Sequence, residues 1–458
     1  MDFRMNTMSS TRAGRSRHFI SSVVWAGSLL GAGVACMAAA GSAPAQPAAG
    51  QSPGGLRAGF ARADITPGQP VLLAGYASRK ELSQGVHDPL SARVAVFAEG
   101  GRSVVLVSTD LIGYYGETSG SMRQAILEAC GLEPEELFLT AIHTHGGPQL
   151  GHDPSRLPPS NVEYTRWLEG RLIETVGAAR SRLAPAQVAS GSGACPVGVN
   201  RREPVRDKDG KPSIVLGRNP LEPVDREVQV LRIAGADGSA RAVLFAYPTH
   251  STAMGPRNLR ITGDVHGIAE QFLETYLGNG LIAAAFAGAS GNIDPWFRVL
   301  PEFRAERGWV PEAVLLGTFL GEEAARVIER VPAGSADGPV RSVFRTLRLP
   351  GKPRNEEAAP ADHPPTELNV TVGRVGEVAW VGLGGEIFNE IGSAIKAASP
   401  FRMTVVVTHC NGAAGYLPIA AAYPQGGYEV RSSPFAPGAA EQLVSEVARM
   451  LNEIRDGR

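Results

Sequence analysis

An excess of charge of either sign is missing from this sequence: 44 Lys and Arg stand against 45 Asp and Glu, a net charge of −1 over 458 residues. No polybasic run breaks the balance, so the electrostatic footprint that drives nucleic-acid binding is absent and no nucleic-acid partner is expected. Lysine supplies only five of the 44 basic residues, an Arg bias that reflects composition and carries no functional content. Charged residues make up 19% against 43% hydrophobic, which excludes the disordered and fibrous classes and leaves a globular chain able to bury a sizeable core. No internal repeat is visible. Cysteine is rare, at Cys36, Cys130, Cys195 and Cys410, with no C-x-x-C pair. What the sequence has in quantity is glycine, 55 residues, and proline, 34, which predict many turns and long loops on a folded scaffold.

Arg12, Arg15 and Arg17 precede an apolar, small-residue run from Phe19 to about Ala40, and Ala43-Pro44-Ala45 then offers an A-x-A cleavage site. Residues 1–45 therefore read as a secretory signal peptide, 46–55 as a Pro/Ala/Gly linker and 56–458 as one domain. The Gly, Ala and Ser content of the run, and its passage into the linker, argue against a membrane anchor. Export to the periplasm or the exterior follows. Cleavage removes Cys36, and the three remaining cysteines permit at most one internal pair; buried, unreactive thiols are the simpler reading.

Strand-like runs appear at Ala92 to Phe97, Ser103 to Ser108, Leu137 to Ile142, Glu227 to Ile233, Ala242 to Tyr247 and Leu281 to Phe286, then at Val340 to Leu349, Asn369 to Val372, Val378 to Leu383 and Thr404 to Thr408. Helical periodicity fits Glu117 to Cys130, Tyr164 to Ala184, Asp264 to Leu277, Pro311 to Val331, Ile387 to Ala398 and Ala439 to Ile454. This alternation predicts an α/β fold: a layered, mixed β-sheet domain with helices packed on the sheet and long loops at the rim of a site. Three polar segments read as the long loops, Gly147 to Asn161, Arg201 to Asp225 and Gly351 to Glu367, the first two bordering the site.

The strongest chemical signal is Thr140-Ala141-Ile142-His143-Thr144-His145-Gly146-Gly147-Pro148. Strand side chains alternate with period two, so an H-x-H pair closing a strand is expected to project both imidazoles to one side at its C-terminal edge, where open α/β sheets place ligands. Two imidazoles on one face make half of a zinc site; the bland alternative is a pair of surface or turn histidines. A second predicted strand ends in Pro248-Thr249-His250-Ser251, Gly384-Gly385-Glu386 follows a third, and Asn411 to Tyr416 follows a fourth. Four strand ends thus direct His, His, Glu and Tyr toward one rim, a nitrogen and oxygen donor set suited to zinc with a position left open.

The chain resembles the neutral/alkaline non-lysosomal ceramidase family in its N-terminal catalytic domain. The resemblance begins at Gly59-Phe60-Ala61-Arg62-Ala63-Asp64-Ile65-Thr66-Pro67 and runs through Ile142 to Pro148, close to the family's T-H-T-H-S-G-P signature. It continues through Val199-Asn200-Arg201-Arg202, Asn219-Pro220, Val224-Asp225, Thr249-His250-Ser251, Gly263-Asp264, Gly385-Glu386, Tyr416 and Tyr428. The resemblance implies a catalytic Zn²⁺ held by His143, His250, Glu386 and Tyr416, with His145 handling a proton and Arg201 and Tyr428 holding the substrate's polar head or an oxyanion.

Two departures are visible. The family carries a G-D-x-S-P-N segment whose Ser is regarded as catalytic, and Gly291-Asn292-Ile293-Asp294-Pro295-Trp296 stands here without the hydroxyl. Asp294 then either acts as a base toward water or shapes a turn with Pro295. The second departure is an expectation drawn from the position of Tyr416 and Tyr428 near Arg458, that the family's C-terminal β-sandwich domain is not part of this chain. The sequence therefore predicts an exported zinc-dependent amidohydrolase acting on a small-molecule or lipid N-acyl substrate, ceramide-like or smaller, with transient membrane-surface contact and no protein partner. A zinc-stabilised binding protein and an esterase or peptidase on the same centre are its alternatives.

Overall fold

A computed structural model of the protein describes residues 55–296, 312–332, 334–336, 338–353 and 364–457. The expected signal peptide, all but the last residue of the linker and the middle of the Gly351 to Glu367 segment lie outside the described residues. In chain order the strands are β1 (Arg57–Asp64), β2 (Ser91–Glu99), β3 (Arg102–Thr109), β4 (Leu137–Ala141), β5 (Ala184–Ala194), β6 (Gly198–Arg206), β7 (Pro212–Asn219), β8 (Glu227–Gly235) and β9 (Ala240–Tyr247). They continue as β10 (Ile282–Ala287), β11 (Ile293–Pro295), β12 (Val340–Leu349), β13 (Thr366–Val375), β14 (Val378–Leu383), β15 (Glu386–Ile387), β16 (Met403–Val407) and β17 (Tyr416–Leu417). The helices are α1 (Gly116–Cys130), α2 (Pro159–Ser181), α3 (Asp264–Leu277), α4 (Glu312–Arg330), α5 (Asn389–Ala398), α6 (Tyr428–Ser432) and α7 (Ala439–Asp456). None of them, among the described residues, is long and apolar enough to cross a membrane.

An eight-stranded sheet runs in the order β10-β9-β8-β5-β1-β2-β3-β4, and a four-stranded sheet in the order β12-β13-β14-β16. Both are mixed: β3 and β4, β9 and β10, and β14 and β16 pair parallel, while the other pairings are antiparallel. The apolar runs are nearly continuous because the strands are covered on both faces. On β3, Val105 and Val107 pack with the α1 and α2 residues Met122, Ile126, Leu168 and Leu172, while Val104 and Leu106 face a core shared with the smaller sheet. On β14, Trp380 faces that shared core, and Ala379, Val381 and Leu383 pack under α5 and α7. Residues of α3 and α4 close the face of β8–β10.

The large sheet curls. β1 meets β5 through only the Arg57–Pro185 and Ala58–Ala184 pairs, and β10 at one edge reaches the strands of the other end, where Ser108 donates to the Ala285 carbonyl at 2.5 Å. That curl brings the chain leaving β4 beside the chain leaving β9, and a parallel bridge between Thr144 and Ser251 joins them.

Two sequence expectations are corrected and a third is extended. The Arg201 to Asp225 segment is largely a hairpin, β6 against β7, hidden from pattern reading because its residues alternate little and it carries the turn Asp207 to Gly210. Glu386 and Tyr416 follow β14 and β16 as expected, and they additionally pair with each other in register on the two-residue strands β15 and β17. Asp294 is not in a turn but lies on β11, opposite Val199 of β6. The reading of buried thiols holds for Cys195 and Cys410, while Cys130 is half-buried; all three are free, and burial pushes the Cys195 thiol up to about 11.

Candidate metal centre

Strand alternation does not aim the two histidines of the H-x-H pair. β4 ends at Ala141, and His143 follows with a φ of 58°, in the left-handed region that residues other than Gly adopt uncommonly. This turn still brings Nε2 of His143 to 3.4 Å from Nε2 of His145. His250, just beyond β9, joins them, and ligand atoms of the three histidines all lie within 4.8 Å of one another. Glu386 Oε2 stands 3.6 Å from His143 Nε2 and 3.5 Å from His250 Nε2, and makes no hydrogen bond among the described residues.

The tautomers are set by carbonyl oxygens, which only accept. His143 Nδ1 donates to Ile112 O at 2.6 Å, and His250 Nδ1 faces Ser290 O at 2.8 Å and Ile293 O at 3.0 Å. Each ring therefore turns the lone pair of Nε2 into the cluster, the arrangement by which outer hydrogen bonds orient metal-binding imidazoles. Donors about 2.0–2.2 Å from a tetrahedral zinc ion stand roughly 3.3–3.6 Å from one another. The separations here match that spacing, and the donor set fits zinc.

Burial opposes the charge on Glu386, but the close-facing imidazoles of His143 and His250, with His409 beyond them, hold its carboxyl well below the usual range. Burial, reinforced by His143 and His250, pushes His145 well below its ordinary value, so that ring is neutral. His145 is fixed from behind. Arg79, itself 5% exposed, donates to its carbonyl oxygen and to the carbonyls of Ala74, Gly255 and Pro256. Gly75, at a φ of 94°, lets the backbone pass so close that a Cβ there would stand 2.3 Å from His145 Nδ1.

Arg201 comes from β6 and is 3% exposed. Its Nε donates to Glu429 at 2.8 Å, Nη1 to Asp294 and toward His250 Nε2 at 3.2 Å each, and Nη2 to the Tyr416 hydroxyl at 3.1 Å. Burial works against the guanidinium charge, and Tyr416, Asp294 and Glu429 outweigh it, so the group stays cationic. Tyr416 is raised well above its ordinary value by burial and by Glu386. Tyr428 is 42% exposed, with its ring 5.6 Å from that of Tyr416, and stands at the rim. Beside the centre, a groove of about 400 Å³ is lined by Leu72, Leu73, Tyr76, Ile112, Tyr115 and Leu150, among others.

The model of neutral/alkaline non-lysosomal ceramidase, N-terminal, matches residues 56–295, just over half of the chain. The chain belongs to this family. The neutral ceramidase of Pseudomonas aeruginosa is 28% identical over 320 residues, 66% of this chain and 47% of that protein. Neutral ceramidase A of Dictyostelium discoideum is 25% identical over 257 residues, 51% of this chain and 35% of that one. This ceramidase-family chain thus spans about half the length, or less, of these curated relatives. The crystal structure of the Pseudomonas neutral ceramidase matches with a TM-score of 0.72 at 22% identity, over 88% of this chain and 75% of that one, a shared fold.

The structure gathers seven of the eight residues singled out in this ceramidase-family sequence around one buried point and leaves Tyr428 at its edge. Sequence reasoning missed four others. His409 stacks on His143; Arg79 fixes His145; Glu429 pairs with both Arg201 and Arg202; and His266, buried on α3, accepts from Ser251 at 2.7 Å and holds the chain after His250. Ser251 is fully buried in that contact, so it braces the loop and is closed to a substrate. Only His409 had a legible signal, a histidine directly after a predicted strand at the same edge.

Proposed function

We propose that this chain is a zinc-dependent amidohydrolase that cleaves an N-acyl amide, ceramide-like or smaller, and is exported after loss of residues 1–45, residues 56–458 forming its catalytic domain. One observation carries the reading: Nε2 of His143 and His250 and Oε2 of Glu386 converge at zinc-ligand spacing in a buried pocket beside a cationic Arg201. These three residues hold the metal, and Tyr416 completes the set. Zinc bound there supplies Lewis acidity toward an acyl carbonyl and acidifies water.

The remaining steps belong to the chain's own side chains. Neutral His145 accepts a proton at Nε2 and returns it to the leaving amine. Arg201 has five N–H donors; one on Nε goes to Glu429, one on Nη1 to Asp294 and one on Nη2 to Tyr416, and the Nη1 donor facing His250 Nε2 is released where that lone pair holds the metal, which leaves one on Nη1 and one on Nη2 for a developing oxyanion. Tyr428 and Tyr115, half exposed at the rim, suit the polar head of a substrate drawn from a lipid surface. The test is metal analysis of the purified protein with hydrolysis of N-acyl amides of several chain lengths and the matching esters. Stoichiometric zinc with amide turnover is expected; zinc without turnover of any amide would reduce the protein to a metal-stabilised binder.

Asp294 takes the place of the family's Ser, and its carboxylate accepts from Arg201. We assign it to holding that guanidinium and give the base role to His145. Asp294→Asn is then expected to lower stability by about 1–3 kcal/mol, the range for weakening a buried charged hydrogen bond, with zinc content unchanged and kcat reduced less than about tenfold. A fall of kcat by roughly 10²-fold or more at an unchanged melting temperature would return the base role to Asp294.

A further inference from the structure

We infer that His409 is a positioning residue for His143, a fixed plate against which that imidazole is held at the angle the centre needs. The inference rests on the reading of His143 as a metal ligand. The two rings stack with centroids 3.8 Å apart and planes 13° apart, and both residues are 1% exposed. The contact is made by ring faces. Nδ1 of His409 is buried and makes no hydrogen bond among the described residues, so no hydrogen bond at that nitrogen fixes the ring.

The backbone is built to keep the plate still. His409 and His143 both carry left-handed backbone, with φ of 54° and 58°, and Asn411, two residues on, does so at 56°. Residues other than glycine adopt such conformations uncommonly, Asn and His more readily than most, and a fixed set of hydrogen bonds holds them there. Asn411 supplies that set. Its backbone N–H donates to Leu139 O, its Oδ1 accepts from Leu139 N, and its Nδ2 donates to Leu137 O and Thr371 Oγ1. The loop bearing His409 is thereby fastened to β4, the strand that delivers His143. On the other side stands Gly113, at a φ of 147°, where a Cβ would come 3.5 Å from His409 Nδ1. His143 is thus gripped at two points, by Ile112 O at Nδ1 and by His409 across its face.

His409→Phe keeps a flat ring without nitrogens, and His409→Leu removes the plate but stays apolar. Zinc affinity, measured by competition with a chromophoric chelator, is expected to fall about 10–100-fold in His409→Leu, the range seen when a group orienting a ligand is lost, and to stay within about threefold of wild type in His409→Phe. In the metal-free proteins, the His143 Nδ1–H resonance should be sharp in wild type and His409→Phe and broadened in His409→Leu. Wild-type affinity and a sharp resonance in His409→Leu would overturn the inference, as would a His409→Phe variant as weak as His409→Leu. Absence of zinc from the wild-type protein would instead overturn the metal reading, and the resonance alone would then decide the role of His409.

Discussion

Replacing His143 or His250 by Ala is expected to weaken zinc binding by more than the roughly 10–100-fold typical of an outer-sphere change, and to lower amide hydrolysis by on the order of 10³-fold or more. The two imidazoles present lone pairs oriented by Ile112 O and by Ser290 and Ile293 O, whereas the neighbouring His145 has no hydrogen-bond partner at Nδ1 among the described residues to fix its tautomer, so it replaces neither of them fully. Ligands from chain segments this far apart also let a bound ion tie them together. Wild-type protein should therefore melt higher with zinc than without, and both variants should lose that difference while keeping the melting temperature of the metal-free protein. His145→Ala separates ligand from proton carrier: zinc should remain and turnover should fall. Full zinc occupancy in both His143→Ala and His250→Ala would defeat the ligand assignment.

The second large effect lies away from the chemistry. Arg93 on β2, 1% exposed, meets Glu270, Glu274 and Asp110, drawing α3 onto the edge formed by β2, β3 and β10. Asp110 also accepts from Ser91 N, and Glu270 from Ala285 N. Arg93→Met strands these carboxylates in the interior, a change expected to destabilise the protein by about 3–5 kcal/mol at pH 7. The pH dependence has a definite sign. Burial raises the carboxyls of both Asp110 and Glu270 above their ordinary values, and Arg93 is the main influence holding them down. Without it they rise further, so the folded variant binds more protons than the unfolded chain, and stability falls as pH climbs from the unfolded carboxylate range through the raised values. Denaturant melts of Arg93→Met should thus regain stability between pH 7 and pH 5. A variant equally unstable at both would show that these carboxylates do not govern the loss.

Much of the fold was legible because apolar strands and amphipathic helices announce themselves locally. α3 was read at its observed bounds, Asp264–Leu277, and β12 and β14 likewise. β5, β6 and β7 were not, since Gly, Ala and Ser in the first, and the irregular mix of polar, Pro and apolar residues in the others, carry no apolar period. Composition and residue order alone determined the α/β class, the absence of a nucleic-acid footprint, the family and a short roster of donors at loop edges. They could not determine which donors meet. The convergence of His143 with His250 depends on the curl between β1 and β5, and that of Glu386 with Tyr416 on a two-residue pairing. The stacking of His409 depends on a left-handed backbone held by Asn411 across 272 residues of sequence. Periodicity reports what one element prefers by itself; contacts between segments hundreds of residues apart, and strain that only packing can hold, exist once the whole chain has closed.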